Sequence, residues 1–322
     1  MCGHQSHHKL YAYEYIRHIN HCSKTDCCQP NYTMTENPKT LLGLNVINGF
    51  TWPPLVHDTN PEKLANFKVR EDDVFVLTYP KSGTHWTQKL VKNILFEGNN
   101  DKIRKDSESN PLGPIEFGDN YKKYDSLSTE KPRVMMIHVP VDVLPRQVFE
   151  GKGKVVFVIR NPKDNLVSYW NFLKDRQYLE EYEEWDSCFE ASLRPDMLYG
   201  NWFDFNLPYY ENHRNKKNFL FLTYEEMKLD HKGCVLRICD FLSRPLSEEQ
   251  VDKVVENTSF SSMKASKPVL FFQGKPTYNL LRKGVVGDWK TRFTVAQKER
   301  FDAIYNQRME GTALAKRIKF EI

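Results

Sequence analysis

Val74-Phe75-Val76-Leu77-Thr78 runs without a break into Tyr79-Pro80-Lys81-Ser82-Gly83-Thr84-His85-Trp86. A short apolar run bounded by polar residues reads as a strand, and continuous rather than alternating apolar character means burial on both faces, as in a parallel sheet. Trp86, Leu90, Val91, Ile94 and Leu95 then recur at helical spacing. A strand, a turn of small residues and a helix N-terminus gather several backbone N–H groups around one point, with the helix dipole behind them. Gly83 lets the backbone approach an oxyanion closely, while Lys81, Ser82 and Thr84 add charge and hydroxyl donors. That is a phosphate cradle by physics; the alternative is an ordinary strand-to-helix turn with an exposed lysine. It is not a Walker A loop, because the lysine precedes the glycine and the G-x-x-x-x-G-K-[ST] spacing is absent.

Three more segments read as buried strands: Val134–His138, Val155–Ile159 and Phe219–Thr223. Asn161-Pro162-Lys163-Asp164 is a helix start, with Asn as N-cap, Pro at the first helical position and an acid in the first turn. Ser247-Glu248-Glu249-Gln250 and Thr294-Val295-Ala296-Gln297 are capping boxes that open later helices. Strands alternating with helices predict an α/β fold, a single domain with a central, mostly parallel sheet flanked by helices and ligands at the strands' carboxyl ends. Two further loops suit anions. Arg160 follows Ile159 directly and Ser168 lies in the next helix; an arginine there pairs either with a phosphate, bidentately, or with Asp164 on the surface. Arg282-Lys283-Gly284-Val285-Val286-Gly287-Asp288-Trp289-Lys290 offers two cations and a glycine backbone, and taken alone is a basic surface turn. Three such loops together imply a ligand with phosphates at two separated positions.

The chain has 322 residues, 40% hydrophobic, 27% charged and 13% aromatic, enough for a sizeable core. A net charge of +4 suits a small anionic ligand and is too thin to imply nucleic acid. No apolar run approaches the roughly 18 residues of a membrane span, and the opening MCGHQSHHKL lacks the hydrophobic stretch of a secretory signal. Residues 1–40 are polar and rich in His, Asn and Thr, so the expected organisation is a poorly ordered extension followed by one domain over 41–322, with Met34 an alternative start. Cys2, Cys22, Cys27 and Cys28 crowd this extension with His4, His7, His8, His18 and His21. A zinc site is the alternative there, but no pair has C-x-x-C spacing, and no metal is expected. Seven cysteines, an odd number and widely spread, are not a disulfide framework and fit the reducing cytosol.

YPKSGTHW, the Arg160-to-Ser168 segment RNPKDNLVS, and RKGVVGDWK resemble, in order, the three nucleotide-binding signatures of the cytosolic sulfotransferases. The resemblance spans roughly Leu41 to the C-terminus. It implies a P-loop-like 5′-phosphosulfate-binding loop and 3′-phosphoadenosine 5′-phosphosulfate (PAPS) as donor. Lys81, Ser82, Gly83, Thr84 and His85 would hold the 5′-phosphosulfate, and Trp86 would stack on adenine. Arg160, Ser168, Arg282, Lys283 and Gly284 would bind the 3′-phosphate. Tyr224, Thr258, Ser259, Phe260 and Met263 would complete the adenine pocket. Ile137-His138-Val139-Pro140 matches the family's catalytic histidine, a group that titrates near neutrality and can take a proton from an attacking hydroxyl or amine. Lys81 would stabilise charge on the oxygen leaving sulfur.

The acceptor implied is a small, largely apolar phenol, steroid, alcohol or arylamine. Phe117 and Phe172 match positions lining its pocket, with Trp52 beside them; core packing is the alternative for each. The chain departs from the family at Met136, where many relatives have lysine, at His85, where threonine is common, and between Met263 and Arg282, which is shorter than in phenol-acting members. These departures bear on acceptor class. Lys290, Thr294, Val295 and Glu299 match the family's short homodimer motif, against a solvated helix start. The reading is thus a cytoplasmic, metal-independent sulfotransferase. Its rivals are a P-loop-type phosphoryl-transfer enzyme, which lacks magnesium ligands here, and a catalytically silent nucleotide-binding protein.

Overall fold

A strand that is apolar at every position has to bury both of its faces, and the four central strands do so. In the computed structural model, which describes residues 44–109, 113–174, 180–265, 271–272, 275–276 and 281–322, β3 (Val74–Thr78), β4 (Val134–Ile137), β5 (Lys154–Ile159) and β6 (Phe219–Thr223) form one sheet in the order β4-β3-β5-β6. All its pairings are parallel, with Phe75 opposite Met135 and Val155, and Phe157 opposite Phe221. Phe75, Leu77, Ile137, Val155, Phe157 and Phe221 enter one apolar cluster. Their neighbours Val74, Val76, Val134, Val156, Val158 and Leu222 enter another, so successive residues supply opposite layers.

Helices close both layers. On the second face lie α1 (Thr84–Leu95), α4 (His231–Leu242) and α5 (Glu248–Asn257), contributing Leu90, Ile94, Val235, Ile238 and Val254. On the first lie α2 (Pro162–Leu173), α3 (Trp202–His213) and α6 (Val295–Met309), contributing Leu166, Leu173, Phe205, Tyr209 and Phe301. The single α/β domain with a parallel four-stranded sheet is the predicted fold. The predicted helix starts hold: Asn161 caps α2 by accepting from Asp164 N at 2.9 Å, and Ser247 and Thr294 each close a complete capping box. Two strand bounds shift by one residue, since β4 stops at Ile137 and β5 starts at Lys154.

The chain crosses from β3 out to β4 and back to β5 on the other side of β3, so the order reverses at β3. This is the switch point at which open α/β sheets bind ligands, beyond the strands' carboxyl ends. A hairpin absent from the sequence reading, β1 (Asn45–Ile47) with β2 (Phe50–Trp52), turns through Asn48 and Gly49, both left-handed at φ 54° and 77°. All the described residues belong to the unit Pro38–Ile322; the Cys/His-rich extension lies outside them.

Candidate functional site

Each strand of the sheet delivers the residues that follow it to one cavity of about 380 Å³. Lys81 and Gly83 come after β3, His138 directly after β4, Arg160 directly after β5 and Tyr224 directly after β6, and all five line it. The loop after β3 is bent by two left-handed residues, Lys81 (φ 68°) and Gly83 (φ 112°). A lysine held there stores strain of the kind found at ligand-binding loops. Helix α1 begins at Thr84 without a side-chain cap, which leaves first-turn N–H groups to be satisfied from outside the helix. From beneath, buried Asn165 of α2 donates to Pro80 O at 2.9 Å and Ser82 Oγ at 3.0 Å, locking the loop.

Arg160 is buried against the Tyr224 ring, its guanidinium carbon 4.4 Å from the centroid. Its Nη atoms make only long bonds, to Lys81 O at 3.4 Å and Val285 O at 3.2 Å, and its Nε is buried with no partner. The surface pair with Asp164 does not form. Asp164 is fully buried and instead accepts from Gly287 N at 2.7 Å and Trp289 N at 2.8 Å, stapling the third anion loop to the first turn of α2. In that loop Arg282 and Lys283 both engage buried Asp288, Lys283 at 2.6 Å. Burial pushes the Asp288 carboxyl up, but the bonds from Lys283 and Arg282 outweigh it and hold it below its ordinary value. Gly284 is left-handed at φ 68°, and a Cβ there would lie 2.3 Å from the Phe260 ring.

His138 Nδ1 lies 2.8 Å from Thr78 O and 3.2 Å from Thr78 Oγ1. A carbonyl only accepts, so Nδ1 carries the proton and Nε2 is the basic nitrogen of the neutral ring. Burial lowers the His138 pKa to about 4, against the Thr78 carbonyl bond, with Lys81 lowering it further. His85, beside both, is lowered to about 3 by burial, Lys81 and His138. At pH 7 both imidazoles are neutral. The cavity is lined by Trp86, Tyr224, Phe260 and Met263, and also by Leu55, Pro114, Phe117, Phe172, Leu198 and Tyr199. Lys81 Nζ sits 4.9 Å from the Phe172 ring centroid.

The sulfotransferase-domain family model matches residues 71–313, three quarters of the chain. The chain belongs to the sulfotransferase family. It is 38% identical over 268 residues to an amine sulfotransferase of Oryctolagus cuniculus, covering 79% of this chain and 86% of that one. It is likewise 38% identical over 251 residues to sulfotransferase 2A1 of Homo sapiens, covering 76% and 86%. Mouse sulfotransferase SULT7A1 complexed with PAP shares the fold with a TM-score of 0.72 at 32% identity, over 85% of this chain and 96% of that one.

Most positions singled out from the sequence meet in this sulfotransferase's cavity: Lys81, Gly83, Thr84, His85, Trp86, Phe117, His138, Arg160, Ser168, Phe172, Tyr224, Ser259, Phe260, Met263, Arg282, Lys283 and Gly284. Three do not line it. Ser82 and Thr258 are fully buried behind the wall, Ser82 accepting from Asn165 and Thr258 O accepting from Trp86 Nε1 at 2.9 Å. Trp52, 1% exposed, packs on Phe50 and behind Tyr199, because the β1–β2 hairpin turns it into the core. Met136 is 2% exposed inside β4, so no charge reaches the cavity from that position. Among the described residues no cluster of three His, Cys, Asp or Glu could hold a metal ion, and no helix is long and apolar enough to cross a membrane.

Sequence reasoning missed Lys228 and His231, which line the cavity from helices with no motif, Tyr199, which lines it from a turn, and Glu116. Buried Glu116 accepts from His138 N at 3.2 Å through Oε1, while its Oε2 has no partner. Burial raises its pKa to about 8, against its hydrogen bonds from backbone N–H groups.

Proposed function

We propose that this protein transfers the sulfuryl group of PAPS to a hydroxyl or amine of a small, largely apolar acceptor, with His138 as general base. The observation that carries this reading is that His138, its Nδ1 committed to Thr78, lines the same cavity as all three anion-adapted loops. The donor fits the residues present. Arg160 and Arg282 each keep a buried Nε without a partner, and α1 opens uncapped at the loop. The 5′ end would be held by Lys81, Gly83, Thr84 and His85, with Ser82 bracing the loop from behind. The 3′-phosphate would be held by Arg160, Ser168, Arg282, Lys283 and Gly284. The base would lie against Trp86, Tyr224, Ser259, Phe260 and Met263, with Thr258 behind them.

When bound, the donor supplies a sulfuryl group activated by its anhydride link to phosphate. His138 Nε2 receives the proton of the acceptor's hydroxyl or amine, and the Thr78 carbonyl stabilises the imidazolium that forms. Lys81 places positive charge where the leaving oxygen gains negative charge. Phe117 and Phe172 exclude water around the acceptor; Trp52 supports this wall only through Tyr199. The PAP named in the solved mouse relative supports the donor class. The names of the two relatives, an amine sulfotransferase and sulfotransferase 2A1, support a small-molecule acceptor.

We further propose a homodimer through Lys290, Thr294, Val295 and Glu299, a cytoplasmic location, and an extension over residues 1–40 that the catalytic domain over 41–322 does not need. Val295 is 74% exposed at the start of α6, which supports a contact there. The function is tested by incubating the protein with radiolabelled PAPS and a panel of phenols, steroids, alcohols and arylamines. Label should move to at least one acceptor, unaffected by EDTA. Tight PAP binding with no transfer to any acceptor would make the protein a silent nucleotide binder.

A further inference from the structure

His231, the first residue of α4, was not marked by any motif, yet it lines the cavity beside Trp86. Its ring meets the indole of Trp86 edge-on, with centroids 5.4 Å apart and planes at 65°. Its Nε2 lies 3.0 Å from Thr258 Oγ1. Proton counting fixes the direction of that bond. The single hydroxyl proton of Thr258 goes to Val254 O at 2.6 Å, so Thr258 Oγ1 accepts and His231 Nε2–H donates. Thr258 O in turn accepts from Trp86 Nε1 at 2.9 Å. Indole, threonine and imidazole therefore close a ring of contacts: His231 holds Thr258, Thr258 holds the Trp86 N–H, and His231 packs on the indole edge. Tyr224 meets Trp86 from another direction, 5.4 Å away at 73°. Burial and Lys228 lower the His231 pKa, which keeps the ring neutral near pH 7.

We propose that His231 is a positioning residue for the nucleobase: it locks Trp86 in place before the nucleotide arrives, so binding spends no free energy on ordering that wall. This rests on the donor reading above and adds a residue that the phosphate loops do not involve. A preordered wall strengthens binding of the base without touching the phosphates. Thus His231→Ala and His231→Gln are compared with wild type by calorimetric titration of PAP and of ribose 3,5-bisphosphate, which lacks the base. The alanine variant should bind PAP about tenfold more weakly and the base-free compound within about twofold of wild type. In steady state its donor KM should rise while kcat holds. Glutamine, whose amide N–H reaches Thr258, should restore most of the PAP affinity. Unchanged PAP binding in His231→Ala, or equal loss for both compounds, would overturn the proposal. Failure of wild-type protein to bind either compound would instead overturn the donor reading, and this assignment with it.

Discussion

Arg160 carries an unpartnered Nε and two long hydrogen bonds, so its strongest donors are left for an anion. Hydrogen bonds to charged groups are worth roughly 1.5–3 kcal/mol. Arg160→Ala should therefore weaken PAP by about tenfold to a hundredfold, and adenosine 5′-phosphosulfate, which lacks the 3′-phosphate, far less. Equal losses in calorimetric titrations of the two would remove Arg160 from the 3′-phosphate. Glu116 acts in the opposite chemical sense, as a buried carboxyl that accepts from the backbone of His138. With its folded pKa near 8, above the ordinary 4.5, it stays protonated in the fold while the unfolded chain has already lost the proton. Its stabilising contribution is complete below the ordinary carboxylate value and is lost as pH rises through about 8. Glu116→Gln keeps the accepting oxygen and cannot ionise. Its melting temperature should gain on wild type as pH rises from 5 to about 8 and level off above that, and a pH-independent difference would refute the assignment. Neither Glu116 nor Asp164 was legible as a site residue in the sequence, because each acts through backbone N–H groups brought to it by the fold, Asp164 across 123 residues.

At the scale of elements, the four central strands were legible because burial on both faces leaves an unbroken apolar run, and the capped helices because capping is local chemistry. The β1–β2 hairpin was not, although Asn48-Gly49 is a turn signal: its strands are three residues each, too short for a period to show. That omission misplaced Trp52. The pairing of Arg282 and Lys283 with Asp288 was likewise open in the motif and is settled only by the loop's curvature. Gly284 sets that curvature, and Phe260 closes over it. A left-handed residue with a Cβ costs roughly 1–2 kcal/mol before any clash, so Gly284→Ala should lower PAP affinity about tenfold or more. Its melting temperature should stay within a few degrees of wild type, since position 284 itself belongs to neither apolar cluster. Normal nucleotide binding by this variant would show that the third loop does not approach the ligand.

For the whole molecule, the sheet's switch point accounts for how segments as distant as Lys81 and Gly284 reach one cavity: each anion loop follows a strand end or is stapled by Asp164 to the first turn of α2, just beyond β5. The order of those loops in the chain made the family legible, whereas the lining by Leu55, Pro114, Leu198 and Tyr199 was not, since it comes from segments without a pattern. Association belongs to this scale too. Light scattering should give twice the chain mass for wild type and the chain mass for Val295→Glu, which would place a charge in the proposed self-complementary contact; a monomeric wild type would end the dimer proposal. The central claim is that His138 moves the proton while other residues hold the nucleotide. It is tested most directly by measuring, on one preparation of His138→Ala, both PAP affinity and sulfuryl transfer from radiolabelled PAPS to an alcohol acceptor. Affinity should remain within about threefold of wild type and turnover should fall by at least roughly a hundredfold, the share of a positioned base. Near-normal turnover in the folded variant would contradict the account.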